Sequence, residues 1–234
     1  MENSHIVSAF DDDLNNLNMR IEQLGNMAKE RFVMALDAIA TQDEKAIDQI
    51  IKGDYELDVL EAEINKTAFE IIALRSPRAS DLRRVIVASK IARIFERVGD
   101  FSKNIARRTK AMAASGHETI PDANIGRMGH MAEKMMNDAM QAYQDLDIKV
   151  AIDLRNSDVE LDHMHSAFYN EVIAMMTDNS KLVGSGVHLL FVGKNIERIG
   201  DYMTGIAEEV YFLVEGVQFE DERPKADKSS SKLS

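Results

Sequence analysis

Cysteine is absent from the 234 residues, which excludes disulfides, thiolate nucleophiles, zinc fingers and cysteine-held iron–sulfur clusters. Any metal must be bound by oxygen or imidazole. Tryptophan is also absent, aromatic residues make up 6%, and only three prolines occur, Pro77, Pro121 and Pro224. Few aromatics disfavour sheets, and few prolines leave room for long uninterrupted helices. Long apolar runs are missing too. The least charged stretch, 182–193, is broken by Gly184, Ser185, Gly186 and His188 and falls short of the roughly 20 residues that a spanning helix needs. No direct membrane insertion is expected. The opening MENSHIVSAFDDDL has no basic start, apolar centre or small-residue cleavage site, so a cytoplasmic location is expected. Positive charge is also short, with 28 basic against 40 acidic side chains and a net charge of -12. A surface of that sign repels nucleic acid and anionic lipid, so membrane association would run through protein partners.

What is present reads as helix. Over 10–40 the apolar residues Leu14, Leu17, Ile21, Leu24, Ala28, Phe32, Ala35 and Ile39 recur at steps of three and four, the pattern of one buried stripe. Thr41-Gln-Asp-Glu44 then fits a capping box that restarts the chain as a second helix carrying Ile47, Ile50, Leu57, Leu60 and Ile64. Ser76-Pro77 supplies a cap with proline at the first helical position, opening a third helix from about residue 78 to 114. Three more helices are expected over 124–144, 148–177 and 182–215. The lysine- and serine-rich end, 217–234, reads as a disordered tail.

The chain repeats itself at half its length. Met27-Ala-Lys-Glu aligns with Met131-Ala-Glu-Lys at an offset of 104, and the same offset carries Asp43 to Asp147, Asp54 to Asp158 and Asp58 to Asp162. After a three-residue shortening the offset becomes 101, and Glu96-Arg97-Val98-Gly99-Asp100-Phe101 matches Glu197-Arg198-Ile199-Gly200-Asp201-Tyr202. The expected fold is therefore all-α, two tandem homologous three-helix bundles related by pseudo-twofold symmetry. Their expected bounds are 1–114 and 124–216, with a linker at 115–123.

The repeated acids are the candidate site. Glu96 and Asp100 are four apart on one helix face, as are Glu197 and Asp201, and like charges so placed repel by a few tenths of a kcal/mol. A compensating cation is implied, either arginine or metal. Small residues share those faces, Ala92 and Gly99 in one copy, Gly193 and Gly200 in the other, and leave room for an ion or a close neighbour. The second and fifth helices add Asp54 with Asp58 and Asp158 with Asp162, which would converge four carboxylates in each bundle. An all-oxygen set suits hard or borderline cations such as Mg, Mn, Ca or Fe. The plainer reading pairs the acids with Arg93, Arg97, Lys194 and Arg198 on solvated faces, and repetition of both acids and glycines favours the ion.

Other residues carry less. His165 lies three after Asp162, but the first copy has Glu61 there; His188 falls in an apolar run, and His5, His117 and His130 fall near helix ends or the linker. None joins a nucleophile in a triad. The fourteen methionines read as adaptable core filling, and no glycine-rich phosphate loop occurs.

At the repeated ERVGD and ERIGD this sequence resembles the PhoU family of bacterial phosphate-transport and phosphate-regulon regulators. The likeness runs through Pro77-Arg-Ala-Ser-Asp81-Leu82-Arg83, Asp54 and Asp158, and HLLFVGKNIERIGD, which ends at Asp201. It implies two three-helix bundles, metal ions (Mg, Mn, Fe or Zn) at Glu96, Asp100, Glu197 and Asp201, and frequent homodimers. It also implies a non-enzymatic adaptor peripheral to the inner membrane. Such a protein associates with the ATPase subunit of the phosphate ABC transporter and with the membrane sensor histidine kinase, and keeps the starvation response off when phosphate is plentiful. One departure is visible: Asn104 follows the first motif, where the second copy has Gly205. The competing enzyme class is a ferritin-like di-iron carboxylate oxidase. Its Glu-x-x-His requires imidazoles where Gly99 and Gly200 stand.

Overall fold

The computed structural model describes residues 2–115 and 123–221. Six helices account for nearly all of them: α1 (Glu2–Thr41), α2 (Glu44–Arg75), α3 (Ser80–Ser115), α4 (Ala123–Asp145), α5 (Ile148–Asp178) and α6 (Val183–Glu215). A single 3-10 turn at Ser180–Leu182 leads into α6, and no strand occurs among the described residues. The first helix begins earlier than the apolar stripe suggests, because nothing between residues 2 and 9 is proline or glycine to stop it. No described helix is long and apolar enough to cross a membrane.

Two helix starts differ from the sequence expectation. Asp43, not Thr41, caps α2, its carboxylate accepting from the N–H groups of Lys45 and Ala46, while the Thr41 hydroxyl donates back to the Asp37 carbonyl. Gln42 intervenes at a φ of 52°, so the chain must turn through the left-handed region before restarting. Repetition would have shown this, since Asp147 caps α5 in the same way and Leu146 has a φ of 53°. Ser76 in turn closes α2 instead of opening α3. It is left-handed and its N–H donates to the Ile72 carbonyl, so Pro77 falls in the connection and α3 starts at Ser80.

Within each half the three helices bury their stripes against one another. Ile21, Leu24, Ala28, Phe32 and Ala35 of α1 are wholly buried against α2 and α3, and Met128, Ala132, Met135 and Ala139 of α4 do the same with α5 and α6. Each large apolar side chain so buried contributes roughly 1.5–3 kcal/mol. The halves then join through homologous helices, α1 on α4 and α3 on α6.

Repeat mates meet at the axis: the Phe101 and Tyr202 ring centroids are 5.5 Å apart. Away from it the contacts come in exchanged pairs. A Cβ on Gly25 would meet Met140 Sδ at 2.5 Å, and one on Gly129 would meet Leu36 Cδ1 at 2.5 Å, the same pairing at the offset of 104. Lys90 bonds Glu209 at 2.7 Å, and its image at the offset of 101 is Arg108 lying 4.2 Å from the Phe191 ring centroid. Such reciprocity is what a twofold axis requires.

The chain past α6 does not start as a free tail. Gly216, at a φ of 78°, turns it back, Phe219 stacks on Tyr211 at 3.9 Å, and Arg155 donates to the Asp221 carbonyl at 2.7 Å. The rest of the expected tail, 222–234, and the linker residues 116–122 with Pro121 and His117 lie outside the described residues.

Candidate functional site

The repeated glycines fix where the acid-bearing helices meet. A Cβ on Gly99 would lie 2.4 Å from Leu57 Cδ1, and one on Gly200 would lie 2.4 Å from Leu161 Cδ2. Only glycine allows α2 so close to α3, and α5 so close to α6, which offsets its cost of roughly 0.5–1 kcal/mol inside a helix. The approach also lays an aspartate over each motif. Asp54 Oδ1 is 3.6 Å from the Gly99 Cβ position, and Asp158 Oδ1 is 3.3 Å from that of Gly200. The structure thus brings α2 and α3 acids together in one half and their α5 and α6 mates in the other.

The two sets differ in depth and in charge. In the first, Asp54 is 9% exposed, Asp58 faces solvent, and Glu96 and Asp100 are half-buried. Lys103, one turn along α3, places its ammonium between Asp54 and Asp100, bonding both, at 2.8 Å in the case of Asp100. Arg97 adds a 3.0 Å bond to the other Asp100 oxygen. Glu96 Oε2 is buried and accepts no hydrogen bond, the nearest cations being Arg93 and Arg97 at 3.9 Å.

Burial first, and then the charge of Asp100, hold the Glu96 carboxyl above the usual range despite these arginines. Asp58 is raised in the same sense, by desolvation and then by Asp54. At Lys103 desolvation works to lower the ammonium's pKa, but the bonds to Asp100 and Asp54 outweigh it and the net shift is upward.

In the second set Asp158, Asp162 and Glu197 are 1%, 2% and 3% exposed. Lys194 donates to Glu197 at 2.8 Å. His165 is buried as well, its ring 3.6 Å from the Gly193 Cβ position one turn before Glu197. The mate of Lys103 is Thr204, fully buried, whose hydroxyl donates to the Asp201 carbonyl. Of the remaining histidines, His130 is exposed near Glu133, and His188 is half-buried on α6.

As candidates for holding an ion, the sets are unequal. Among the described residues no three carboxylate or imidazole groups close on one point. The second set offers donors of suitable chemistry, the buried carboxylates of Asp158, Asp162 and Glu197 and the buried imidazole of His165, hard and borderline in kind. The first does not fit, because an ammonium already holds the two acids an ion would need. Sequence reasoning missed Lys103, which looks like any helix lysine. Its spacing of three from Asp100 was the available signal.

Known proteins agree with the doubled architecture. A family model described as PhoU domain matches residues 21–109 and again 125–210, one match per half. A phosphate-specific transport system accessory protein PhoU homolog of Caulobacter vibrioides is 34% identical over 223 residues, covering 95% of this chain and 97% of that one. Its counterpart of the same description from Rhizobium meliloti is 36% identical over 234 residues, covering 99% and 98%. The crystal structure of the phosphate transport system regulatory protein PhoU from Streptococcus pneumoniae superposes with a TM-score of 0.84 at 26% identity, covering 91% of this chain and all of that one. With both halves matched and relatives aligned nearly end to end, the chain belongs to the PhoU family.

Proposed function

We propose that this protein is a regulatory accessory subunit of phosphate uptake, a cytoplasmic adaptor and not an enzyme. In this reading it links the ATPase subunit of the phosphate ABC transporter to the membrane sensor histidine kinase and represses the starvation response when phosphate is plentiful. The observation that carries the reading is the near full-length alignment to phosphate-specific transport accessory proteins in both halves. A net charge of -12 and the absence of a spanning helix among the described residues support docking through proteins instead of lipid. Preferential binding to the phosphate-replete transporter and the inhibited kinase would bias both equilibria together. Deleting the gene is expected to release phosphate-starvation genes in phosphate-rich medium. Unchanged repression would overturn the reading.

A bound cation belongs to this proposal. Glu197 and Asp201 with Asp158 and Asp162 would hold a divalent or iron-type ion, which would neutralise acids that burial otherwise makes costly. Metal analysis of the purified protein beside Glu197→Ala/Asp201→Ala is expected to show ion lost with the acids. The oxidase alternative loses ground on packing: Leu57 and Leu161 already occupy the space beside Gly99 and Gly200 that its imidazoles would need. Homodimer formation is expected in addition, and light scattering at the working concentration tests it.

A further inference from the structure

Helix α2 carries two apolar stripes, and the core uses one of them. Ile47, Ile50, Leu57, Leu60, Ile64 and Ile71 are buried against the rest of the first half. On the opposite side Tyr55, Val59, Ala62, Lys66, Phe69 and Ala73 are exposed, and they follow one another at steps of four and three, the spacing of a coiled-coil seam. Tyr55 is 72% exposed and Phe69 73%, so two aromatic rings stand out from this one face. Single apolar side chains on a surface are ordinary, whereas a row of them along one helix marks a contact. We infer that the outward face of α2 is a dimer interface, packed antiparallel on α2 of a second copy of this chain about a twofold axis beside Ala62.

The face reads alike from either end, which is what contact with its own copy requires. Tyr55 and Phe69 stand seven residues either side of Ala62, so a twofold rotation sets the phenol of one copy against the phenyl ring of the other, twice. Asp58 and Lys66 stand four either side and become opposite charges across the contact. Lys52, ten before Ala62, and Glu70, eight after it, fall within one helical turn of the same level. The Lys66 side chain is 77% exposed, and Glu70 of its own helix lies 3.9 Å away, so its ammonium is open to a partner. A partner of another sequence would need no such symmetry. The homologous helix α5 lacks the seam: at the offset of 104 these places hold Val159, His163, Ser166, Asn170, Ile173 and Thr177, four of them polar. One seam per chain closes at two copies instead of growing into a filament. At about 1.5 Å per residue the 32 residues of α2 reach roughly 48 Å, and a strip about 10 Å wide along them covers roughly 500 Å2 on each copy. That lies at the low end of specific interfaces, so the dimer is expected to dissociate on dilution. A dimer through α2 presupposes the homodimer expected above, and the experiment distinguishes loss of one from loss of the other.

Because the chain has no cysteine, a single introduced cysteine reports one position. Sedimentation of the full-length protein over a dilution series is expected to show monomer and dimer in exchange. Ala62→Cys treated with diamide is expected to give a disulfide-linked dimer, and Ile173→Cys, at the place of Phe69 on α5, to stay unlinked. Tyr55→Glu/Phe69→Glu is expected to raise the dissociation constant by at least about 100-fold with helicity and Tm unchanged, since both side chains lie outside the core. Lys52→Glu is expected to weaken the dimer, and adding Glu70→Lys to restore it. A dimer that keeps its dissociation constant in Tyr55→Glu/Phe69→Glu and does not link through Ala62→Cys would overturn the α2 interface while the homodimer stands. Linking through Ile173→Cys as readily as through Ala62→Cys would overturn it too. Monomer at every concentration reached would overturn the interface and the homodimer together, leaving the seam to a partner of another sequence.

Discussion

At the scale of single residues, the glycines separate steric need from helix propensity. Gly126 has nothing within 4 Å of its Cβ position, so Gly126→Ala should stabilise by about 0.5–1 kcal/mol. Gly200→Ala should do the opposite despite the same gain. Its methyl would press on Leu161, Asp158 and Met135 together, and overpacking costs about 1–3 kcal/mol. Gly99→Ala should cost less, since Asp54 stands farther off there. Urea unfolding of the three variants checks that ranking. Tyr143 gives a pH test. Its hydroxyl donates to Asn18 at 2.8 Å, and burial, opposed by Arg84, raises its pKa. The unfolded phenol titrates near about 10, so above that pH the folded state binds more protons and stability falls as pH rises. The urea midpoint of the wild type should therefore drop more steeply between about pH 9.5 and 11 than that of Tyr143→Phe. Parallel slopes would contradict this. Glycine spacing was legible in the sequence; what each glycine faces was not, because Leu57 and Leu161 lie some forty residues away along the chain.

At the scale of elements, helix existence was readable and helix ends were less so. Apolar steps of three and four persist through α1 to α6 with few breakers, which is why the bodies of the helices fell where expected. The ends turned on which of several capping residues wins, and Thr41, Asp43 and Ser76 all qualify by type. Local geometry decided: a left-handed residue before the cap at Gln42 and Leu146, and at the closing position at Ser76. Asp43→Ala and Asp147→Ala should therefore each cost about 1 kcal/mol, and Thr41→Ala much less, as read by thermal melts. The segment 217–221 is held through Phe219 and Arg155. Hydrogen exchange there should quicken in Phe219→Ala while α1 to α3 stay protected.

At the scale of the whole molecule, the repeat made the architecture legible, whereas the junction between halves was not. One pair of its exchanged contacts keeps position and changes chemistry, an ion pair at Lys90–Glu209 against a cation over a ring at Arg108–Phe191, so no identity marks that pair. The same blindness hid Lys103, since a search for matching residues passes over the place where lysine faces threonine. Because one apolar core runs through both halves, calorimetry should show a single cooperative transition, and the first half alone should expose Phe101 and its neighbours and lose that cooperativity. Contacts that exchange across a twofold axis are those that two separate, identical chains make, so the exchanged contacts among the described residues do not depend on the halves sharing a backbone. Covalent linkage raises the local concentration of one half around the other and fixes their one-to-one ratio. A chain cut between α3 and α4 should hold together, and halves made as two polypeptides should find each other. In these terms the molecule is a dimer written once, whose tether freed each copy to change its own side chains, as lysine at 103 against threonine at 204 shows.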